Sequence, residues 1–407
     1  MTDCKREVNV KDFGALGDGR ANDRPAIQRA LDSGAEKIVV PLGTYVLDGT
    51  LYIGSDVCLE VHPLAMLVLA DGAMKGPKDF MLTNKNWETG DKNITVRGGI
   101  WDYNNPGNRR GELFDPNSIT GTQMHFHNAE DLVLENLFLR DPECYFITLL
   151  DTNRFRIENI LFDSPHLRPN QDGIHLGGDT YNGIIRGLRG TPGSCNDDVV
   201  AFSADNCMTR LQNLNLHCGN IGNILIEDAD FPHCFTFVRI ASIDSTVENV
   251  VIRNVRAGVS HFFLNLDATH ESRTPVVFRE EERYYTGVGH VKNVEVSDCR
   301  IWSTTGKEPL MAMEEGLENF TLRHITVEQD KLAQPPLLRM RLCRPTRTTL
   351  SGVDKGALEK LTMEKCDLHV EEDEENKADA VLDKHVYGSW LLPATDIKEA
   401  SFAPLRE

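Results

Sequence analysis

The chain has 407 residues, a formal net charge of −19 and 40% hydrophobic residues. That is enough length to bury a large core, and the acidic balance excludes a nucleic-acid partner, because no basic stripe is present to neutralise phosphates. No stretch approaches the roughly 18 apolar residues of a membrane span, and MTDCKREVNV lacks the apolar core of a signal peptide, so a soluble cytoplasmic chain is expected, or a secreted one if the start is trimmed.

The first segment, VKDFGALGDGRANDRPAIQRALDSGAEKIVVPLGTYVLDGTLYI, holds one helical period. Asp23 or Asn22 can cap a helix from Pro25 to Leu31, with Gly34 ending it. This amphipathic helix is predicted to plug the open end of the first coil, since a solenoid needs a cap over its hydrophobic bore. Asp12, Asp18 and Asp23 read as turn and cap residues rather than catalytic groups.

Further along, one phrase recurs: polar residue, hydrophobic, any, hydrophobic, any, Asn or similar, hydrophobic. It starts at Asn93, Asp131, Arg154, Asn249, Asn293 and Asn319. Short alternating strands without long helical periods between them read as β-solenoid coils, with asparagines at the turns bonding to backbone and to each other down the stack. A two-sheet sandwich is the competing architecture, disfavoured by the number of similar units. The ten cysteines form no CxxC pair and have no histidine at zinc spacing, so scattered reduced thiols are expected, with no metal and no cofactor. The acidic run Glu371–Glu375 reads as a solvated loop, and Trp390-Leu391-Leu392-Pro393 as a closing element. A single domain is expected over 1–407, with a cap segment over about 8–50, coils over about 51–370 and a C-terminal cap or tail over about 371–407.

The richest stretch is NQDGIHLGGDTYNGIIRGLRGTPGSCNDDVVA, from Asn170 to Ala201. Gln171-Asp172-Gly173-Ile174-His175-Leu176 aligns with Asp197-Asp198-Val199-Val200-Ala201-Phe202, one coil of roughly 20–30 residues later. Ile174, Leu176, Val200 and Phe202 then point inward, and His175 and Ala201 outward. Asp172 is predicted to stack on Asp198, and Asp197 on Gln171. Carboxylates this close cannot all ionise without cost, so one is expected to keep its proton while another acts as base. The bland alternative for Asp197-Asp198 is a polar turn pair bonded to backbone amides.

The entry segment DFGALGDGRANDRPAIQRAL with VVPLGTY resembles that of pectin-degrading right-handed parallel β-helix proteins, and the middle of the chain resembles glycoside hydrolase family 28, the polygalacturonase family, over roughly residues 8 to 330. The resemblance implies an all-β, single-stranded right-handed parallel β-helix with an N-terminal capping helix. Of the family's four motifs, Asn-Thr-Asp stands here as Asn170-Gln171-Asp172 and Gly-Asp-Asp as Asn196-Asp197-Asp198. Gly-His-Gly is not intact: Ile221 falls where the histidine belongs, although His217 lies four residues earlier. Arg-Ile-Lys survives as Arg239-Ile240-Ala241, without its lysine. What the resemblance implies is an inverting hydrolase with Asp197 as general acid and Asp172 with Asp198 holding the attacking water. The missing lysine removes one cation from a clamp on a uronate carboxylate, which argues for a different sugar.

Other candidates for binding substrate are weaker. Arg239 can grip a carboxylate or a hydroxyl, against a plain surface arginine; Arg168 can do the same, against a loop-fixing salt bridge. His175 faces the cleft by alternation. Asp102 lies in an Asn/Pro/Gly loop whose aromatics and arginines suit a sugar ring, Tyr145 falls where the family often has an aromatic, and Asn170 and His217 complete the set. Three functions stand open: hydrolysis of a pectin-like or related oligosaccharide or polysaccharide, calcium-dependent polysaccharide lysis with the three aspartates as metal ligands, and carbohydrate binding without catalysis.

Overall fold

The computed structural model describes residues 6–111, 117–205, 217–266, 289–313 and 317–328 with their side chains, and the strands Leu338–Met340, Thr348–Asp354, Thr362–Glu372 and Lys377–Leu391 as backbone. The described residues fall into two compact units, one running to Asp197 and including His217, the other formed by Asp198 to Asp205 with Cys218 onward. Both are stacks of parallel coils, and the fold is a right-handed parallel β-helix.

In the first unit each coil contributes three short strands to three parallel sheets. One sheet runs through Leu51–Ile53, Leu82–Asn84, Met124–His127, Ile147–Leu150 and Ile174–Gly177. The second runs from Glu7–Asn9 through Lys37–Val40, Cys58–Val61, Asp91–Arg97, Ala129–Glu135 and Asn153–Glu158 to Thr180–Arg186. The third runs from Asp18–Asn22 to Arg189–Gly190. In the second unit Asp198–Ser203, Thr236–Ala241, Leu264–Leu266 and Met311–Met313 form one ladder. Long strands at Ile221–Cys234, Thr246–Val259, His290–Ser303 and Leu317–Val327 form the other. Lys377–Leu391 pairs antiparallel with Thr362–Glu372 and Thr348–Asp354, bringing Trp390 level with Met363. Of the acidic run, Glu371 and Glu372 end a strand and the rest lies outside the described residues.

The recurring phrase marks the corners of the coils. Its first residue is left-handed at Asn93, Asp131, Arg154, Asn249, Asn293 and Asn319, and its sixth at Gly98, Asn136, Asn159, Asn254, Asp298 and His324. Asn, Asp and Gly tolerate that conformation, so two corners five residues apart leave room for a short strand that alternates in and out. Ile94 and Val96, Leu132 and Leu134, and Phe155 and Ile157 fill the bore in register. Outside, the corner amides form ladders: Asn249 donates to Asn223 at 2.9 Å, Asn293 to Asn249 at 2.9 Å and Asn319 to Asn293 at 3.0 Å. Gly98 is the tightest corner, because a Cβ there would stand 2.1 Å from the carbonyl oxygen of Val61 at a φ of +77°. Gly98→Ala is expected to cost about 2–4 kcal/mol, left-handed strain and overpacking together, read as a lower urea midpoint with an unchanged m-value.

The N-terminal helix spans Arg24–Leu31 and buries Ala26, Ile27, Ala30 and Leu31. Asp23 occupies its N-cap position but makes no side-chain cap bond. Its buried carboxylate instead accepts the amides of Leu16 at 2.5 Å and Gly17 at 3.0 Å, fixing the preceding turn, while Asn22 accepts from Arg24 at 3.2 Å. The helix ends at Leu31, ahead of Gly34. One cysteine departs from expectation: Cys58, Cys144, Cys195, Cys234 and Cys299 are free thiols, but Cys218 is disulfide-bonded.

Candidate active site

The loop before Ile174–Gly177 is built to present Asp172. Gln171 is buried beneath it, donating to the carbonyls of Pro142 at 2.7 Å and His166 at 3.0 Å and accepting from the amide of Arg168 at 3.0 Å. Asp172 itself is buried, with Oδ2 2.7 Å from His175 Nδ1. The His175 ring stacks on Tyr145 with centroids 4.1 Å apart. His175 does point away from the bore that Ile174 and Leu176 fill, but it is only 1% exposed, so it is no open cleft residue. It orients Asp172, and Tyr145 holds it in place.

Asn170, left-handed at φ 63°, donates from Nδ2 to Asp197 Oδ2 at 3.1 Å. Asp197 is half-buried, and carboxylate oxygens of Asp172 and Asp197 lie within 4.8 Å of each other. A pair of oxygen donors this close can share a proton, a water or a hard cation such as calcium. The spacing is shorter than the roughly 6.5–9.5 Å between carboxyl groups in a typical inverting glycosidase. In the second unit, Asp198 is buried at the start of its strand, and Arg239 Nη1 lies 4.0 Å from its Oδ2. Arg239 is set one coil above Ala201 by the parallel register. Ile221 and Ala241, standing where the family has its histidine and lysine, are both buried apolar residues.

The structure reveals an acid that sequence reasoning missed. Glu143 is fully buried and receives Arg168 Nε at 2.9 and 3.0 Å, Asn105 Nδ2 at 2.7 Å and Arg110 Nε at 3.4 Å. Arg168 therefore fixes its loop through a salt bridge, the alternative weighed for it above. Arg110 also donates to Cys144 Sγ at 3.1 Å and to the Pro169 carbonyl. The Asp102 loop departs from its expected sugar-binding role. Trp101 and Tyr103 are buried in the core, and Asp102 accepts from Asn104 N at 2.8 Å and from Arg140 at 2.7 Å, locking a corner. The signal for Glu143 was its place in Asp141-Pro142-Glu143, a turn leading into a strand, but such turns are common.

His217 cannot stand in for the missing family histidine. Its Nε2 lies 3.4 Å from Asp179 and 3.7 Å from Asp151. Asp179 follows the strand Ile174–Gly177 that Asp172 precedes, so about 13 Å of extended chain separates the two ends.

Burial pushes the Cys144 thiol up to about 12, despite the neighbouring Arg110. The folded protein keeps this thiol neutral while the unfolded chain ionises it near its ordinary value, so stability is full below about pH 9 and falls as pH rises towards 12. Cys299 shifts the same way, also to about 12 through burial. Urea titrations between pH 8 and 11 are expected to show a loss of up to roughly 1 kcal/mol per pH unit for each thiol, and Cys144→Ala should flatten the slope.

Comparison with known proteins agrees with this architecture. Residues 7–98 match the family described as rhamnogalacturonase A/epimerase, pectate lyase-like. A probable polygalacturonase of Arabidopsis thaliana is 26% identical over 263 residues, which is 61% of this chain and 51% of that protein. The chain spans about half or less of the length of the curated relatives it matches. Among solved structures, the surface adhesin PfbA of Streptococcus pneumoniae superposes with a TM-score of 0.62 at 13% identity, covering 94% of this chain and 98% of that one. A family 28 exopolygalacturonase of Yersinia enterocolitica superposes with a TM-score of 0.55 at 16% identity, covering 86% of this chain and 76% of that one. The entry segment is thus similar to the pectate lyase-like family, the chain to a polygalacturonase, and the coils share the right-handed parallel β-helix fold of a family 28 exopolygalacturonase.

Proposed function

We propose that the chain is a glycoside hydrolase that cleaves a pectin-like or related oligosaccharide or polysaccharide by inverting acid/base hydrolysis. The observation that carries hydrolysis is the Asp172–Asp197 pair, two carboxylates within 4.8 Å held by Asn170 and His175, whereas inversion rests on the likeness of Asn170-Gln171-Asp172 and Asn196-Asp197-Asp198 to the family motifs. Asp197 is the more exposed of the two and is the acid, protonating the glycosidic oxygen as its bond to the anomeric carbon breaks. Asp172, with Asp198 next to Asp197 in the chain, takes the proton of the attacking water. Arg239 contacts the sugar from beside Asp198. With Ala241 in place of the family lysine, the sugar at the cleaved bond is not held by two cations, which favours a substrate other than galacturonate there.

A cavity of about 430 Å³ lined by Tyr52, Trp87, Lys78 and Lys85 supports a polysaccharide ligand. The ladder from Thr83 through His125 and Thr148 to His175 places it three coils from the carboxylates, about 14 Å along the stack. An aromatic ring with flanking cations at that distance suits a further sugar of the same chain.

A panel of neutral and acidic oligosaccharides tests the reading, with reducing ends measured chemically and the configuration of the new end followed by proton NMR. Inversion, without ultraviolet-absorbing products and insensitive to a calcium-selective chelator, is expected. Retention would make Asp172 a nucleophile, as its closeness to Asp197 permits. Unsaturated products lost on chelation would make the protein a lyase, and binding without turnover would make it a carbohydrate-binding relative.

A further inference from the structure

The corner that follows the first sheet carries a cluster outside the proposed active site. His127 ends the strand Met124–His127, Asp151 follows Ile147–Leu150 and Asp179 follows Ile174–Gly177, so the three stand at the same edge of successive coils. His217 joins them, and its carbonyl accepts from the Gly178 amide at 2.7 Å. Elsewhere such corner columns pair asparagine with asparagine, or arginine with aspartate as in Arg154 on Asp131 at 2.8 Å. Here two left-handed aspartates, Asp151 and Asp179, follow one another, and the side chains set against their carboxylates are histidines.

The spacing is long for hydrogen bonds and fits ligands around one ion. His217 Nε2 lies 3.4 Å from Asp179 Oδ2 and 3.7 Å from Asp151 Oδ2, and His127 Nε2 lies 3.6 Å from Asp151 Oδ2. N–H···O bonds centre on roughly 2.9–3.0 Å. Metal–ligand bonds of roughly 2.0–2.1 Å in a tetrahedron put neighbouring ligand atoms about 3.3 Å apart. Ligand atoms of Asp151, Asp179 and His217 all lie within 4.8 Å of one another, and the His127 and His217 rings are tilted at 48° with centroids 6.0 Å apart. We propose that His127, Asp151, Asp179 and His217 form a four-ligand site for a divalent transition metal of the zinc class. Two imidazoles with two carboxylates suit zinc better than calcium, which takes six to eight oxygens. Asp151, Asp179 and His217 already stand at mutual ligand spacing and His127 joins from beside Asp151, and a sphere filled by protein makes the ion structural: it neutralises the stacked aspartates and fastens His217 to three coils.

The full chain, stripped with a chelator, is titrated with Zn²⁺ alone by calorimetry and with Co²⁺ by visible absorption. One ion per chain, the intense absorption of four-coordinate cobalt and a higher Tm with zinc are expected. His127→Ala and His217→Ala should each weaken zinc binding by at least about tenfold and abolish the cobalt band. An Asp151→Asn/Asp179→Asn double variant, which keeps residues suited to the left-handed corners, should fold with the circular dichroism of the parent and lose the zinc-dependent rise in Tm. Asp197→Asn should bind as the parent does. The proposal is overturned by a parent chain that takes up no stoichiometric ion, by histidine variants that bind unchanged, or by binding that is lost in Asp197→Asn.

Discussion

Asp197→Asn is expected to lower kcat on a natural glycoside by about 10²- to 10⁴-fold with the thermal midpoint unchanged. The amide matches the carboxyl in shape, and the half-buried position next to Asn170 Nδ2 admits it without a cavity. What it removes is the proton delivered to the leaving oxygen. A substrate with a good leaving group needs no such proton, so an activated aryl glycoside should recover much of the rate in Asp197→Asn. In Asp172→Asn the same substrate should recover nothing, because the water is then left without its base and the His175 contact at 2.7 Å loses its carboxylate. Near-parental turnover by Asp197→Asn on a natural substrate would sink the acid assignment. Recovery in both variants would instead show that the two carboxylates share one role.

Glu143→Ala is expected to destabilise the first unit by about 3–5 kcal/mol, the cost of leaving a buried guanidinium without its partner. Arg110 is almost wholly buried and shielded from bulk solvent, while Arg168 and Asn105 lose their anchor in the same step. Glu143→Gln should cost less, because an amide oxygen still accepts from one of the three donors. Urea denaturation followed by fluorescence reads both. Since Arg168 and Gln171 shape the loop ahead of Asp172, the variant that still folds should also lose kcat. A cost below about 1 kcal/mol for Glu143→Ala would mean that solvent reaches Arg110 and that the network is not what holds the loop.

The sequence by itself determined the coils. The phrase beginning at Asn93, Asp131 and Arg154 is legible because corner conformation and in/out alternation are local properties, set by a few neighbouring residues. Asp172 and the Asp197-Asp198 pair were legible for the same reason, since each motif sits within one turn and strand. The helix was legible too, though the bonding of Asp23 was not, because its donors are backbone amides six and seven residues away that only the folded turn presents.

Only the tertiary structure decided which side chains meet between coils, because a contact between coils joins residues whose separation depends on every insertion between them. Arg168 on Glu143 spans 25 residues, Asn105 on Glu143 38, and His217 on Asp179 38. No periodicity in the chain records those distances. For that reason Arg168 was open between substrate and salt bridge, the aromatics beside Asp102 suited a sugar ring in sequence but are buried in the core, and nothing in the sequence marks the aspartates that the coil edge sets beside His217.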